Sequence, residues 1–468
     1  MNRNKILLAI VAFLVLQPII DVLTTASIFL IDTSLTIGVI VRVLFMLAML
    51  VFLLWLSKTS KISRILTLYL VGLGALLVIN ILVNLQAKDP YYLFQELKFF
   101  NKVIYFHIVF LGLMMAYRQL KDANYDIAKK TTKYIWLSGI IIGAVFVIAQ
   151  ITGTSLSNYS HTKTGFTGWF FAGNEIGAIM AIILPIMALY AVEKTDSLKK
   201  PWAWIPFLLL SIGMLALGTK VGYGGILIVL LSVLFGSIIM LFMKQRTATV
   251  KSNLLVSIIL TAVLIVITPF TPVFGNMFAH ITSLGINLGE PVERPGEEVL
   301  VEGDEGFEEQ QKEEEEERPE ITNEQVQNLV FSSREKYAEV MNGDFYSSPL
   351  TQQLFGMGFA GNYPEPLPGK TPKMIEMDFH DWFYSFGWIG FIYLIAPLIW
   401  FAGKYLIHFV RNIKTHFTYF YVLYGVAFLL AIGIAYTAGH VLTAPAVSIY
   451  IAAILAMLVV KENLITEK

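Results

Sequence analysis

"MNRNKILLAIVAFLVLQPII", residues 1–20, sets Arg3 and Lys5 ahead of an apolar run that carries no charge. Such a run is either a leader that is removed or a segment that stays in the membrane. No small-residue cleavage pattern follows it, and further apolar runs do, so it reads as a retained first span near 5–22. Working outward, similar segments fall near 36–57, 65–85, 100–117, 134–151, 169–192, 202–217, 222–243, 253–274, 384–403, 418–436 and 441–460. Each approaches the roughly 20 residues that cross about 30 Å of hydrocarbon as a helix. The whole chain agrees: of its 468 residues 56% are hydrophobic and only 15% charged, and its mean hydropathy is +0.66. Soluble proteins carry about 25% charged residues. The expected fold is an all-α polytopic membrane protein of about 12 transmembrane helices.

The charges between the spans set an expected orientation, because cytoplasmic loops carry the excess of Lys and Arg. Alternate connections hold Lys58, Lys61 and Arg64; Arg118, Lys121, Lys129, Lys130 and Lys133; Lys194, Lys199 and Lys200; Lys244, Arg246 and Lys251; and Lys404, Arg411 and Lys414. The short connections between them hold only Lys88, Lys98, Lys163 and Lys220. This alternation puts both termini on the cytoplasmic side of the cell membrane. It divides the chain into spans one to nine (1–274), one large extracytoplasmic loop (275–383), and spans ten to twelve with a short tail (384–468). No nucleic-acid partner is expected. The chain has no cysteine, which excludes disulfides, thiolate nucleophiles and cysteine metal sites.

The loop is of two kinds. From Glu290 to Glu324 there are 16 acidic residues against three basic ones, which leaves the rest of the chain basic by 13. A segment so charged and so poor in apolar residues cannot offset its chain entropy, so 286–321 is expected to be disordered. Residues 322–383 read as structured, with a short helix around 322–342 and then a Gly/Pro/Asn-rich stretch leading to His380.

Ionisable residues at or within the spans are expensive, and so they are the first functional candidates. The outward set holds Lys98, Lys102, His161, Lys163, Lys220, Arg334, His380, Asp381 and His440. Lys220 sits in the tight turn "LGTKVGYGG", where Gly218, Gly222, Gly224 and Gly225 admit other backbone or a ligand. A fixed cation beside open backbone suits a phosphate or pyrophosphate, whereas the plainer reading is a lysine snorkelling at a helix end. His380 has the chemistry of a general base for a hydroxyl. Its neighbour Asp381 does not face it on a helix and would instead favour the helix start. Arg334 opens the loop helix. Asn174 and Glu175 lie early in span six, where they could join helices.

Several stretches together resemble the O-antigen ligase and Wzy-type polysaccharide polymerase family: "FAGNEIGAIMAIILPIMALY" (171–190), "LALGTKVGYGGILIVLL" (215–231), "SSREKYAEV" (332–340) with "LFGMGFAGNY" (354–363), and "FHDWFYSFGWIGFIYLI" (379–395). They come in the family's order over roughly 165–400. The resemblance implies a glycosyltransferase with no metal and no cofactor, working at the outer face of the cytoplasmic membrane. Its donor would be a polyprenyl-pyrophosphate-linked glycan and its acceptor a glycan hydroxyl. Lys220 and Arg334 would bind the pyrophosphate, His380 would activate the hydroxyl, and Asn174, Glu175, Lys163 and Asp381 would support them. Partners would be the lipid bilayer and other polysaccharide assembly proteins, such as a flippase and a chain-length regulator. The chain departs from the family pattern in having Lys220 where arginine is commoner, Asp381 where asparagine often follows the histidine, and the acidic insert.

Two other classes compete. A flippase or exporter of lipid-linked oligosaccharide should place charges near the membrane midplane. Here only Arg42, read as near the middle of span two, does so. A sensor or scaffold using the acidic loop would leave Lys220, Arg334 and His380 without a role.

Overall fold

The computed structural model describes residues 3–31, 35–159, 163–197, 200–245, 247–283, 327–329, 331–332, 334–360 and 375–465. The acidic stretch expected at 286–321 and His161 lie outside these residues. Each of the twelve apolar segments is a helix. They are α1 (Arg3–Ile31), α2 (Ile37–Ser57), α3 (Lys61–Ala87), α4 (Leu93–Asp122), α5 (Ile127–Ile151), α6 (Gly173–Lys194), α7 (Ile205–Leu217), α8 (Lys220–Phe242) and α9 (Ala248–Ile267). Then come the loop helices α10 (Pro272–Ser283), α11 (Arg334–Ser347) and α12 (Leu350–Phe355), followed by α13 (Asp378–Arg411), the single turn α14 (Ile413–His416), α15 (Tyr419–Thr437) and α16 (Pro445–Lys461). Ten of the twelve are long and apolar enough to cross a membrane; α7 with the turn before it and α16 are shorter.

The sequence sets many of the helix starts. The side chains of Thr36, Ser60, Asp126, Thr219 and Thr247 cap α2, α3, α5, α8 and α9 by accepting from a backbone N–H three residues on. α4, α6 and α16 form the centre. Every residue from Ala446 to Val460 is buried, and α4 and α6 are buried nearly all round. A helix apolar on all faces belongs inside a bundle. At 17 residues α16 spans about 26 Å, and the surrounding helices free it from matching the bilayer.

Two of the boundaries that differ from expectation bear on the site. α13 starts at Asp378, so His380 and Asp381 stand in its first turn and are not part of the loop. The loop helix described runs over 334–347, with helical residues at 327–329 and 331, so it extends past the expected end at 342; residues 322–326 of the expected helix lie outside the described residues.

One end of the bundle carries both termini and the other carries the loop helices. At the loop end, irregular backbone is held by buried polar side chains. Asn80 donates to Phe355 O (2.6 Å) and Ser385 O (2.8 Å), and Asn84 donates to Gly356 O (3.0 Å). Glu96 accepts from the N–H groups of Phe359 and Ala360 at 2.8–2.9 Å. Burial pulls Lys88 down to about 8, and its Nζ donates to Ala360 O.

The loop meets α13 at two glycines. Gly387 (φ 66°, ψ −174°) kinks α13, and a Cβ there would stand 2.5 Å from Gly356 N and 2.6 Å from Gln353 O. Backbone lies on the other side, so nothing can give way, and the conformation itself excludes L side chains. Gly387→Ala is expected to cost about 3 kcal/mol or more. Gly403→Ala, on the same helix with nothing within 4 Å, should change little. Thermal melting of the detergent-solubilised protein separates them; equal melting temperatures for both would contradict the packing.

Candidate functional site

The site grows from the turn between α7 and α8. Gly218 ends α7 in the left-handed region (φ 73°), and Thr219 caps α8 by accepting from Gly222 N (3.1 Å). Lys220 is therefore the first residue of α8, with little freedom of position. The chain's own groups fill the space beside Gly218, Gly222 and Gly225, whereas beside Gly224 nothing lies within 4 Å. A Cβ on Gly218 would meet Thr164 O at 2.5 Å, and one on Gly222 would meet Met214 O at 2.9 Å. Asn276, from α10, ties these strands together by donating to Thr164 O and Gly218 O. A small hairpin, β1 (Leu156–Ser157) with β2 (Phe166–Gly168), presents the connecting segment, and Asn158 donates to Leu217 O (3.0 Å). Lys163 lies in that segment, close enough for its charge to act on Lys220.

Lys220 Nζ donates to Leu329 O (2.6 Å) and to His280 Nδ1 (2.8 Å). With Nδ1 accepting, His280 keeps its proton on Nε2, which faces Asn328 Oδ1 at 3.1 Å. Burial and then the Lys220 charge hold His280 below the ordinary imidazole value, so it stays neutral beside the cation. Segment 327–334 thus runs from Lys220 to Arg334, whose charge also acts on Lys220. Lys163, Lys220 and Arg334, far apart in sequence, form one cationic cluster.

Arg334 opens α11. Its Nη2 donates to Glu376 Oε2 at 2.8 Å and its Nη1 to Phe331 O at 3.3 Å. Glu376 also faces His440, with Nε2 3.8 Å from Oε2: an ion-pair distance, too long for a good hydrogen bond. Burial alone would raise Glu376, but His440 and Arg334 outweigh it and hold the carboxyl below its ordinary value. Burial would likewise lower His440, and the Glu376 carboxylate outweighs it, so the imidazole titrates above its ordinary value. His440 was legible as an outer-turn histidine. Glu376 was missed, because a lone acid between two methionine-bearing stretches carries no motif.

His380 is the third residue of α13. Among the described residues its Nδ1 has no hydrogen-bond partner, and its ring lies 5.9 Å from that of Tyr436. Tyr436 in turn meets Phe331 edge-on at 6.3 Å, beside Arg334. Asp381 does not pair with His380. Its Oδ2 accepts from Met377 N (3.2 Å) while Asp381 N donates to Met377 O, which caps the helix start. Asp378 accepts from the N–H groups of Val441 and Leu442 and from Thr443 Oγ1, at 2.5–2.8 Å. That carboxylate fixes the His440 turn against the start of α13.

The supporting residues separate. Asn174 is exposed, and Glu175 lines a cavity of about 660 Å³ while its charge also acts on His440. The cavity is mostly apolar, with Asp21, Arg42, Lys98 and Lys102 on its walls; Lys220, Arg334 and His380 do not line it. Arg42 lies in the second turn of α2, not near the middle of the span, and its Nη2 donates to Asp21 Oδ1 at 2.5 Å. Among the described residues, the one set of three His and Glu side chains close enough to share a metal ion lies at the opposite end of the bundle.

Ten membrane-length apolar helices around a wholly buried centre define a multi-pass membrane protein. The family model of O-antigen ligase like membrane proteins matches residues 2–464, nearly the whole chain, and the chain belongs to that family. No curated protein and no solved structure gave a match. Membership suggests a glycosyl-transferring enzyme concerned with polysaccharide ligation at the membrane.

The Glu376–His440 contact makes the clamp on Arg334 pH-dependent. His440 is raised in the folded protein, so its contribution is complete below its ordinary 6.5 and is lost as pH rises through the raised value. Glu376 is lowered, so its contribution is complete above its ordinary 4.5 and is lost as pH falls through the lowered value. The clamp is tightest between these limits. Hydrogen exchange at 375–377, corrected for intrinsic rates, should show protection falling from about pH 6 to pH 8. His440→Gln should flatten that fall; an equal fall in the variant would contradict the assignment.

Proposed function

We propose that this membrane protein transfers a glycan from a polyprenyl-pyrophosphate carrier to an acceptor hydroxyl, at the outer face of the cytoplasmic membrane. The observation that carries this reading is the meeting of Lys163, Lys220 and Arg334 at the end of the bundle where His380 stands. A pyrophosphate is bound and made a better leaving group by fixed cations. Arg334 offers a planar fork and Lys220 a point charge, so the two positions recognise phosphate oxygens differently.

In the reaction, the acceptor hydroxyl gives its proton to His380 as its oxygen bonds to the anomeric carbon. The bond from that carbon to the pyrophosphate oxygen breaks, and its electron pair leaves with the lipid pyrophosphate. Among the described residues, the buried Nδ1 of His380 has no hydrogen-bond partner, and Asp381 is engaged with the helix start. His380 is thus left to act as a lone base, oriented by its aromatic neighbours. The same chemistry serves chain extension and transfer of a finished glycan. The apolar cavity beside Glu175 has room for a prenyl chain or a second lipid-linked substrate.

An exporter has less support. Arg42, the one residue that favoured it, is neutralised by Asp21 near the loop end. His380→Ala, at unchanged membrane levels, should abolish long-chain polymer on a glycan ladder gel. Loss of a general base slows such a step about 10²–10⁴-fold. Lipid-linked single units should accumulate on the outer face; an unchanged ladder would remove His380 from the mechanism.

A further inference from the structure

At the end of the bundle that carries the termini, three segments converge. His408 comes from the last turn of α13, His416 from α14, and Glu462 directly follows α16. Glu462 Oε2 is 3.2 Å from His408 Nε2 and 3.1 Å from His416 Nε2. The other carboxylate oxygen is already engaged: Oε1 accepts from Tyr421 OH (2.6 Å) and from Lys461 Nζ (3.2 Å). The carboxylate is therefore oriented so that Oε2 faces the two imidazoles.

The hydrogen bonds around His416 say what the space between these atoms requires. Thr415 Oγ1 donates its single proton to Asn412 O (2.9 Å). It can then only accept from His416 Nδ1, 3.0 Å away. A neutral His416 with its proton on Nδ1 aims the lone pair of Nε2 at an anionic oxygen. The contact is favourable only with a cation between them, either a second proton on the ring or a metal ion. A histidine that donates through one ring nitrogen and presents the other to a carboxylate-lined space has the outer-shell arrangement of a metal ligand.

We propose that His408, His416 and Glu462 form a binding site for a transition-metal cation of the zinc type, separate from the glycan-transfer site. Two imidazoles and one carboxylate select zinc or its neighbours over magnesium or calcium, which prefer all-oxygen sets. Zinc bonds of about 2.1 Å place tetrahedral ligand atoms about 3.4 Å apart. The two carboxylate–imidazole separations are already close to that, and all three ligand atoms lie within 4.8 Å of one another. The fourth position stays open to water. Lys461 is the nearest opposing charge, but it sits on Oε1 and against Tyr421, away from the shared face. A bound ion would staple the end of α13, the α14 turn and the chain after α16.

The test uses the full-length protein in detergent, stripped with a chelator and titrated with Zn²⁺ against a chromogenic indicator. One equivalent should bind at micromolar affinity or tighter, and Co²⁺ in its place should show the visible absorption of a tetrahedral site. Glu462→Gln keeps the shape and removes the charge, and should weaken binding about 100-fold. Tyr421→Phe, which frees the carboxylate to turn, should weaken it about 10-fold. Melting temperature should rise with Zn²⁺ in the wild type and not in Glu462→Gln. The proposal is overturned if no stoichiometric Zn²⁺ binds. It is equally overturned if Glu462→Gln binds as the wild type does.

Discussion

Backbone that leaves a helix near a bilayer must still find partners for its N–H and C=O groups, and at the loop end buried side chains provide them. Glu96 receives the N–H groups of Phe359 and Ala360, Asp378 those of Val441 and Leu442, and Asn80 and Asn84 donate to the carbonyls around Gly356. Each would be costly in hydrocarbon with no partner. Matched in this way, they hold three separate stretches of irregular chain at fixed places on the bundle. The rest of the loop end depends on these bonds, because no sheet and no long helix could position the same residues.

The candidate chemistry is a consequence of that anchoring. Asp378 joins the start of α13 to the His440 turn, so His380 and His440 move together. His440 faces Glu376, Glu376 holds Arg334, and the segment before Arg334 reaches Lys220 through Leu329 O. A cationic cluster drawn from three distant stretches is thereby held at the same end of the bundle as His380. Its like charges are partly offset by Glu376, which leaves a net positive site of the kind that suits a pyrophosphate. The neutral His280 beside Lys220 adds a polar contact without adding charge.

Much of the fold was legible because apolar length is a strong signal: all twelve segments lie on helices, although hydropathy misplaced their ends by up to nine residues, as at the end of α1, which runs to Ile31 and not 22. What was not legible came from tertiary contact. The start of α13 at Asp378 depends on Asp381 capping it and on the 441–443 turn, neither of which shows in local pattern. Of the glycines of "LGTKVGYGG", Gly218 and Gly222 are close-approach positions, met by Thr164 O and Met214 O, whereas Gly224 has nothing within 4 Å. Lys220, Arg334 and His380 could be singled out as costly polar residues, whereas Glu376 could not. Asn174 and Glu175 show the limit of proximity in sequence: one is exposed and the other faces a cavity that the cluster does not line.

The central claim is that Lys220 and Arg334 bind a pyrophosphate. The most direct measurement is the affinity of the purified protein, in nanodiscs, for a prenyl pyrophosphate that carries no sugar. The account predicts that Lys220→Ala weakens binding at least about 10-fold, that Lys220→Ala/Arg334→Ala weakens it further, and that His380→Ala leaves it nearly unchanged. Wild-type affinity in the double variant would contradict it.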